Sequence, residues 1–336
     1  MTRLAASGIL LLAALCWGAG NVANKTVLVH LGPLSVVGLR CLLAALVIAP
    51  FAVADLRRSA DPRATAAWVK SALGLSALFA LALVLQQLAY RFTSVTNASF
   101  LVNTATVMTP VLAWLVLRHR VGLAVACAAP LTLLGAMLMS GGVFSLSAMN
   151  TGDLLCIASA AAFAGWMVAL GEHAVRHGRP LGTTFVQFAT SAALVLPVAV
   201  WTDAPSIHAI GRALPELVFL GVISTALAFG LQTWAQRFVA ASTAAVLVSA
   251  ESLFGAVGAH LLLGEQTPVL GLAGAALILV AISFVAMADK AGPAVRPASC
   301  DHAPHRPDPS PVAATPVPPC VASRSTASGG SDQPMA

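Results

Sequence analysis

Charge is what this chain has least of. Only 9% of its 336 residues are Asp, Glu, Lys or Arg, against about 25% in a soluble domain whose surface must face water. That shortage excludes a water-soluble globular protein. Cysteines are few and set no disulfide framework: Cys16, Cys41, Cys127 and Cys156 sit inside apolar runs as small hydrophobes, and Cys300 and Cys320 lie in the C-terminal stretch. There is no Walker A loop, no Gly-rich dinucleotide signature, no His/Cys cluster with metal-ligand spacing and no nucleophile elbow. Energy from nucleotide hydrolysis within the chain is therefore not expected, nor is a cofactor or a metal, and no catalytic residues are assigned.

What is present is apolar. Hydrophobic residues make up 58% of the chain and the mean hydropathy is +0.88, the composition of an integral membrane protein whose first partner is the lipid bilayer. A helix needs about 20 apolar residues to cross roughly 30 Å of hydrocarbon. Ten such runs can be marked, at about 4–23, 34–54, 67–89, 98–117, 121–141, 153–173, 183–201, 217–236, 242–263 and 269–288. The first resembles a signal peptide but lacks a clear small-residue cleavage site, so it reads as an uncleaved span. Short connections predict antiparallel neighbours.

The ten runs are one module written twice. Setting Leu85 against Leu231 fixes an offset of 146 (231 − 85), which without a gap places Gln86 on Gln232, Ala89 on Ala235, Arg91 on Arg237, Phe92 on Phe238 and Leu101-Val102 on Leu247-Val248. Trp17 then falls opposite Phe163. Five spans per copy is an odd number, so the second copy must insert upside down. The expected fold is an all-α membrane protein of ten transmembrane helices in two inverted five-helix repeats, 4–141 and 152–288. Inverted repeats around a midplane cavity are the architecture of secondary transporters.

Basic residues set the orientation. With the N-terminus inside, the cytoplasmic side receives Arg3, Arg57, Arg58, Arg63, Lys70, Arg118, Arg120, Arg176, Arg179, Arg237, Lys290 and Arg296, and the outer side only Lys25, Arg91 and Arg212. Both termini are expected in the cytoplasm. The net charge of +6 is spent on topology, and no nucleic-acid partner is expected. Residues 291–336, rich in Pro, Ser, Thr and Ala without apolar periodicity, read as a disordered cytoplasmic tail.

Polar residues inside spans are costly and therefore informative. Thr96, Ser99, Asn103 and Thr106 recur at helical spacing toward Pro110, and Ser242, Ser249 and Ser252 occupy the ninth span. Gln86 and Tyr90 are one turn apart, as are Gln232 and Gln236, with Thr225 on the same face. Such stripes either line a polar pathway or make interhelical hydrogen bonds. Glu251, near the middle of the ninth span on a side that carries Gly255 and Gly258, is the strongest single signal. A carboxylate at that depth can exchange a proton or pair with a cationic solute, or it can be a paired structural group. Arg40, with Gln187 near its counterpart position, either neutralises an anionic group or snorkels to the interface. Trp17 and Trp166 either line the pathway or pack. Glu172 and His173 are expected at the interface, His260 makes no metal site alone, and Gly18, Gly20, Gly255 and Gly258 read as close helix contacts.

Several short motifs then align with a known family. They are Leu-Cys-Trp-Gly-Ala at 15–19, Gly-Leu-Arg at 38–40, Gly-Asp-Leu-Leu at 152–155 and Leu-Leu-Leu-Gly-Glu at 261–265. In order and spacing, over residues 4–288, the chain resembles the ten-span members of the drug/metabolite transporter superfamily built from two EamA domains. The resemblance implies a secondary transporter of the inner membrane, often an exporter of amino acids, metabolites or drugs. The chain departs from the family pattern where His119 stands for the first repeat's closing Glu, and where Thr106 and Ser252 replace an early proline.

The expectation is therefore a non-enzymatic secondary transporter of a small solute, with alternating access and a titratable Glu251. Gln86, Asn103 and Gln232 would orient the solute, Arg40 would meet an anionic group, and Trp17 and Tyr90 would line the path. A homodimer is left open. The competing reading is a membrane receptor that binds a ligand without moving it; an intramembrane enzyme would need paired catalytic groups at one depth and ranks last, because the sequence marks Glu251 alone near the midplane.

Overall fold

Apolar runs of this length have one way to satisfy their backbone in hydrocarbon, which is to hydrogen-bond internally as helices. The structure, a computed structural model, describes residues 2–56, 62–93, 95–118, 121–139, 150–177, 179–263 and 269–291, and no strand occurs among them. The first repeat consists of α1 (Arg3–Val27), α2 (Pro33–Leu56), α3 (Pro62–Ala89), α4 (Val95–Val102), α5 (Ala105–Leu117) and α6 (Leu123–Met139). The second consists of α7 (Thr151–His177), α8 (Pro180–Thr202), the short α9 (Ile207–Arg212) and α10 (Leu214–Val218), a π-helical stretch Phe219–Leu227, then α11 (Ala228–Ala235), α12 (Ala241–Val248), α13 (Glu251–Leu263) and α14 (Val269–Ala291). Nine stretches of these described residues are long and apolar enough to cross a membrane, and α6 is a shorter apolar helix. The expected tail beyond 291 lies outside the described residues, as do His119, Gly264 and Glu265.

Two aspartates reveal the inversion. Asp55, at the end of α2, accepts hydrogen bonds from the backbone N–H of Leu181 (3.0 Å) and Gly182 (3.4 Å) at the start of α8. Asp203, just after α8, accepts from Ser35 N–H (2.7 Å) at the start of α2. The second spans of the two repeats are therefore antiparallel, and each caps the other's orphan amides. Pro33 and Pro180, each the first residue of its helix, give up no bond there. The fifth spans, α6 and α14, meet at Gly135 and Gly274, where a Cβ on Gly135 would stand 2.6 Å from the Gly274 carbonyl oxygen. Likewise α3 lies along α7, and α1 lies along the π-helical stretch, α11 and α13. Each repeat is thus completed by the other.

Small side chains make these contacts possible. Gly18 of α1 sits against α13 so closely that a Cβ would come within 2.6 Å of Phe254 Cβ and 2.9 Å of the Glu251 carbonyl, and Gly20 is equally tight against Ser224 (2.7 Å). Gly258 differs from expectation: nothing lies within 4 Å of its Cβ position. Buried positions are rich in Ala, as at Ala6, Ala13, Ala14, Ala44 and Ala45, whereas Leu46, Phe51, Val116, Leu123 and Trp201 point outward. Lipid is as apolar as the core, so helix association rests on close packing and hydrogen bonds rather than on apolar burial.

Three spans expected to be continuous are not. The fourth breaks at Asn103-Thr104 and the ninth at Ser249-Ala250, which are the same positions under the 146 offset (103 + 146 = 249). At both breaks the ladder tightens to i→i−3 bonds, Thr106 N–H to Asn103 O (3.0 Å) and Ser252 N–H to Ser249 O (3.2 Å). The eighth span is α-helical only at its ends, with the π-helical stretch between them.

Candidate functional site

The two breaks face each other across the bundle. Asn103, at the first break, donates from Nδ2 to Ser252 Oγ on the first turn of α13, and Thr106 Oγ1 points to the Ala245 carbonyl of α12 (3.5 Å). Between the breaks lies a cavity of about 100 Å³. Of the seven residues expected to form a site, Trp17, Arg40, Gln86, Asn103, Gln232 and Glu251 line it. Tyr90 does not; it follows the end of α3 and leans on a small cluster with Ala89, Ala98, Leu101 and Cys156.

Arg40 does not snorkel. It lies about 10 Å along α2 from Pro33 (40 − 33 = 7 residues at about 1.5 Å each), is only 4% exposed, and is held by two neutral groups. Its Nε donates to Thr225 Oγ1 at 2.9 Å and its Nη1 to Asn24 Oδ1 at 3.4 Å. Thr225 is within reach because the π-helical turn is wider than an α-turn, which lets successive residues point inward: Ser224 lines the cavity and Thr225 holds the arginine. Glu251 is the first residue of the half-helix α13, where the partial positive charge of a helix N-terminus is concentrated. It lines the same cavity as Arg40. A cation and a carboxylate thus reach one cavity from opposite repeats.

Part of the remaining wall is aromatic. Trp17, Phe163, Trp166 and Phe229 line the cavity, and behind them Phe79 and Phe188 complete a cluster centred on Phe229. Its ring stands 4.8 Å from Trp17 and Phe79, 5.6 Å from Trp166 and 6.4 Å from Phe188. Trp166 is tied down, its Nε1 donating to Gln187 Oε1 at 2.6 Å, so Gln187 is a support for the wall and not a lining group. Gln236, the repeat's counterpart of Tyr90, also faces away, donating from Nε2 to the Met167 carbonyl (3.2 Å). Asn24, Ser224 and Phe229 are cavity residues that the sequence did not mark. Asn24 lies near the end of its helix, and Ser224 faces inward only because of the π-helical turn.

At the end of the bundle where α2 stops and α8 starts, a buried polar chain ties the repeats together. Trp68 Nε1 donates to Thr183 Oγ1 (3.1 Å). Thr183 also meets His173 Nε2 (2.8 Å), whose Nδ1 meets Ser71 Oγ (2.8 Å). His173, expected near the inner end of its span, is packed inside the bundle at only 3% exposure, and Glu172 pairs with the exposed Arg176 (2.9 Å). The Arg179 guanidinium covers the Trp68 ring at 5.3 Å. Among the described residues no group of three His, Cys, Asp or Glu is placed to hold a metal.

Known proteins share this fold. A crystal structure of 19% sequence identity superposes with a TM-score of 0.67, covering 85% of this chain and 98% of the other, which shows the fold. An uncharacterized transporter of Archaeoglobus fulgidus is 27% identical over 286 residues, 85% of this chain and 87% of its own. The model of the EamA-like transporter family matches twice, over residues 5–141 and 150–287. With both halves matched and two inverted helical repeats enclosing a polar cavity, this multi-pass membrane chain belongs to the EamA-like transporter family.

Proposed function

We propose that the chain is a secondary transporter that moves a small polar or amphipathic solute by alternating access, exporting it across the inner membrane with both termini in the cytoplasm. One observation carries the reading: the cavity lies where two symmetry-related helix breaks meet. Broken helices at a repeat interface offer polar backbone and side chains in the middle of the hydrocarbon, which is tolerated only where they line a cavity. Rocking one repeat against the other exposes that cavity to each side in turn. The Trp68–Thr183–His173–Ser71 chain bridges the two repeats at the end where α2 stops and α8 starts.

In this reading Glu251 is the group that gains and loses a proton during the cycle. Gln86, Asn103 and Gln232 orient the solute, and Arg40 meets its electron-rich part. Export and the cytoplasmic termini rest on family likeness and on the asymmetry of Lys and Arg. The test is flux in proteoliposomes holding only this protein, with a pool of amino acids and metabolites, with and without a pH gradient. Gradient-driven movement of one solute class is expected. The Glu251→Gln variant should lose the pH dependence at unchanged protein level, and an unaltered pH profile in that variant would remove Glu251 from the mechanism.

A further inference from the structure

Arg40 is the one cationic side chain among the described residues that line the cavity. A guanidinium carries five N–H donors in a planar fork, and Thr225 and Asn24 occupy only two of them, one on Nε and one on Nη1. Both of these holders are neutral. Nη2 makes no hydrogen bond to a described residue, and it is not one of the buried unpartnered atoms, such as Arg179 Nη1, that are closed to water. Arg40 is 4% exposed, so the outer edge of the fork meets open space although the rest of the side chain is enclosed. The space it borders is the cavity.

A buried cation is costly unless an anion faces it. Glu251 lines the same cavity, but it already has a partner within the protein and stands on the positive end of α13. What Arg40 lacks is therefore an anion from outside. Charge limits which one. A phosphate monoester carries about −1.5 to −2 at neutral pH, more than one guanidinium offsets beside an existing carboxylate. A carboxylate carries a single charge and presents two oxygens that match the fork. An added ammonium group would have to draw Glu251 away from the partner it has. The body of the solute meets Trp17, Phe163 and Phe229, which line the same cavity.

We propose that Arg40 makes the cavity a subsite for a singly charged organic acid: a carboxylate, without an ammonium group, on an apolar or aromatic body. The carboxylate takes the Nη2 edge of Arg40 while Thr225 and Asn24 hold the guanidinium in place. The inference deepens the transport reading and rests on it for the solute's passage, not for its binding.

The experiment is equilibrium binding to the purified full chain in detergent at neutral pH, using radiolabelled phenylpropionate as probe. Its neutral amide, phenylalanine (the same acid with an ammonium group) and phenyl phosphate serve as competitors. Phenylpropionate should bind, and each competitor should be weaker by about tenfold or more. Arg40→Gln, which removes the charge and keeps a polar group, should bring acid and amide to similar affinity by weakening the acid alone. No binding of phenylpropionate to folded wild-type protein overturns the subsite. So does an amide, phenylalanine or phenyl phosphate that binds as tightly as the acid, and so does an equal loss for acid and amide in Arg40→Gln, since a merely structural role moves both together. Should that variant fail to fold, the wild-type series alone decides. Binding with this selectivity but without flux in proteoliposomes keeps the subsite and sinks the transport reading; flux of other solutes without phenylpropionate binding does the reverse.

Discussion

Gly18 has no room for a methyl group. Its Cβ position is 2.6 Å from Phe254 Cβ and 2.7 Å from the Gly255 nitrogen, so Gly18→Ala must push α1 away from the half-helix that begins with Glu251. Because the neighbours are largely backbone and Cβ, the strain has nowhere to relax. The variant should lower the thermal midpoint by several degrees and reduce flux. Gly165→Ala is the control, since nothing lies within 4 Å of its Cβ position; it should be neutral in both assays. Arg40 supplies a second residue-scale test. Lysine keeps the charge but not the planar fork that reaches Thr225 and Asn24 together. Arg40→Lys should cut flux about tenfold or more without loss of protein. Flux equal to wild type would mean that only the charge matters there.

The interrupted spans and the reciprocal caps are matters of the element. Asp55 and Asp203 lie at opposite ends of the α2–α8 pair, about 35 Å apart for a helix of 24 residues. Asp55→Ala and Asp203→Ala should each destabilise by about 0.5–2 kcal/mol, and the double variant should be additive, since distant sites do not couple. Thermal unfolding of the four proteins checks this; strong non-additivity would mean that the two caps act through one unit. The same scale separates what the residues disclosed from what they did not. The spans and the inverted repeat were legible because hydrocarbon imposes length, and because Gln86 and Gln232 or Leu101 and Leu247 recur at a fixed offset. Gln86, Asn103, Gln232 and Glu251 stood out because polar groups are rare at that depth. The breaks were not legible. Neither Asn103-Thr104 nor Ser249-Ala250 contains proline or glycine, and Pro110 lies inside α5 rather than at the interruption. The π-helical stretch carries no sequence mark either, so Ser224 could not be placed. Nor were the hydrogen bonds of His173 to Ser71 and Thr183, 102 and 10 positions away, legible from its place near a helix end.

For the whole molecule, alternating access predicts that tying the two repeats together where α3 meets α8 stops the cycle. Cysteines placed at Trp68 and Thr183, whose side chains now touch, can be joined by a short thiol-reactive cross-linker in a background freed of the native cysteines. Joining them should abolish flux without loss of folded protein. Flux that survives complete cross-linking would show that this end does not open.

The bond between Ser35 and Asp203 spans 168 positions of sequence, and this has a consequence for biosynthesis. At roughly 5–20 residues per second, the chain reaches Asp203 some 10–30 s after Ser35 has left the ribosome. During that interval the leading amides of α2 wait without their permanent acceptor. The first half of the chain is thus a guest of the second during its own birth. A nascent chain stalled before residue 203 should therefore be more sensitive to protease than one released after it.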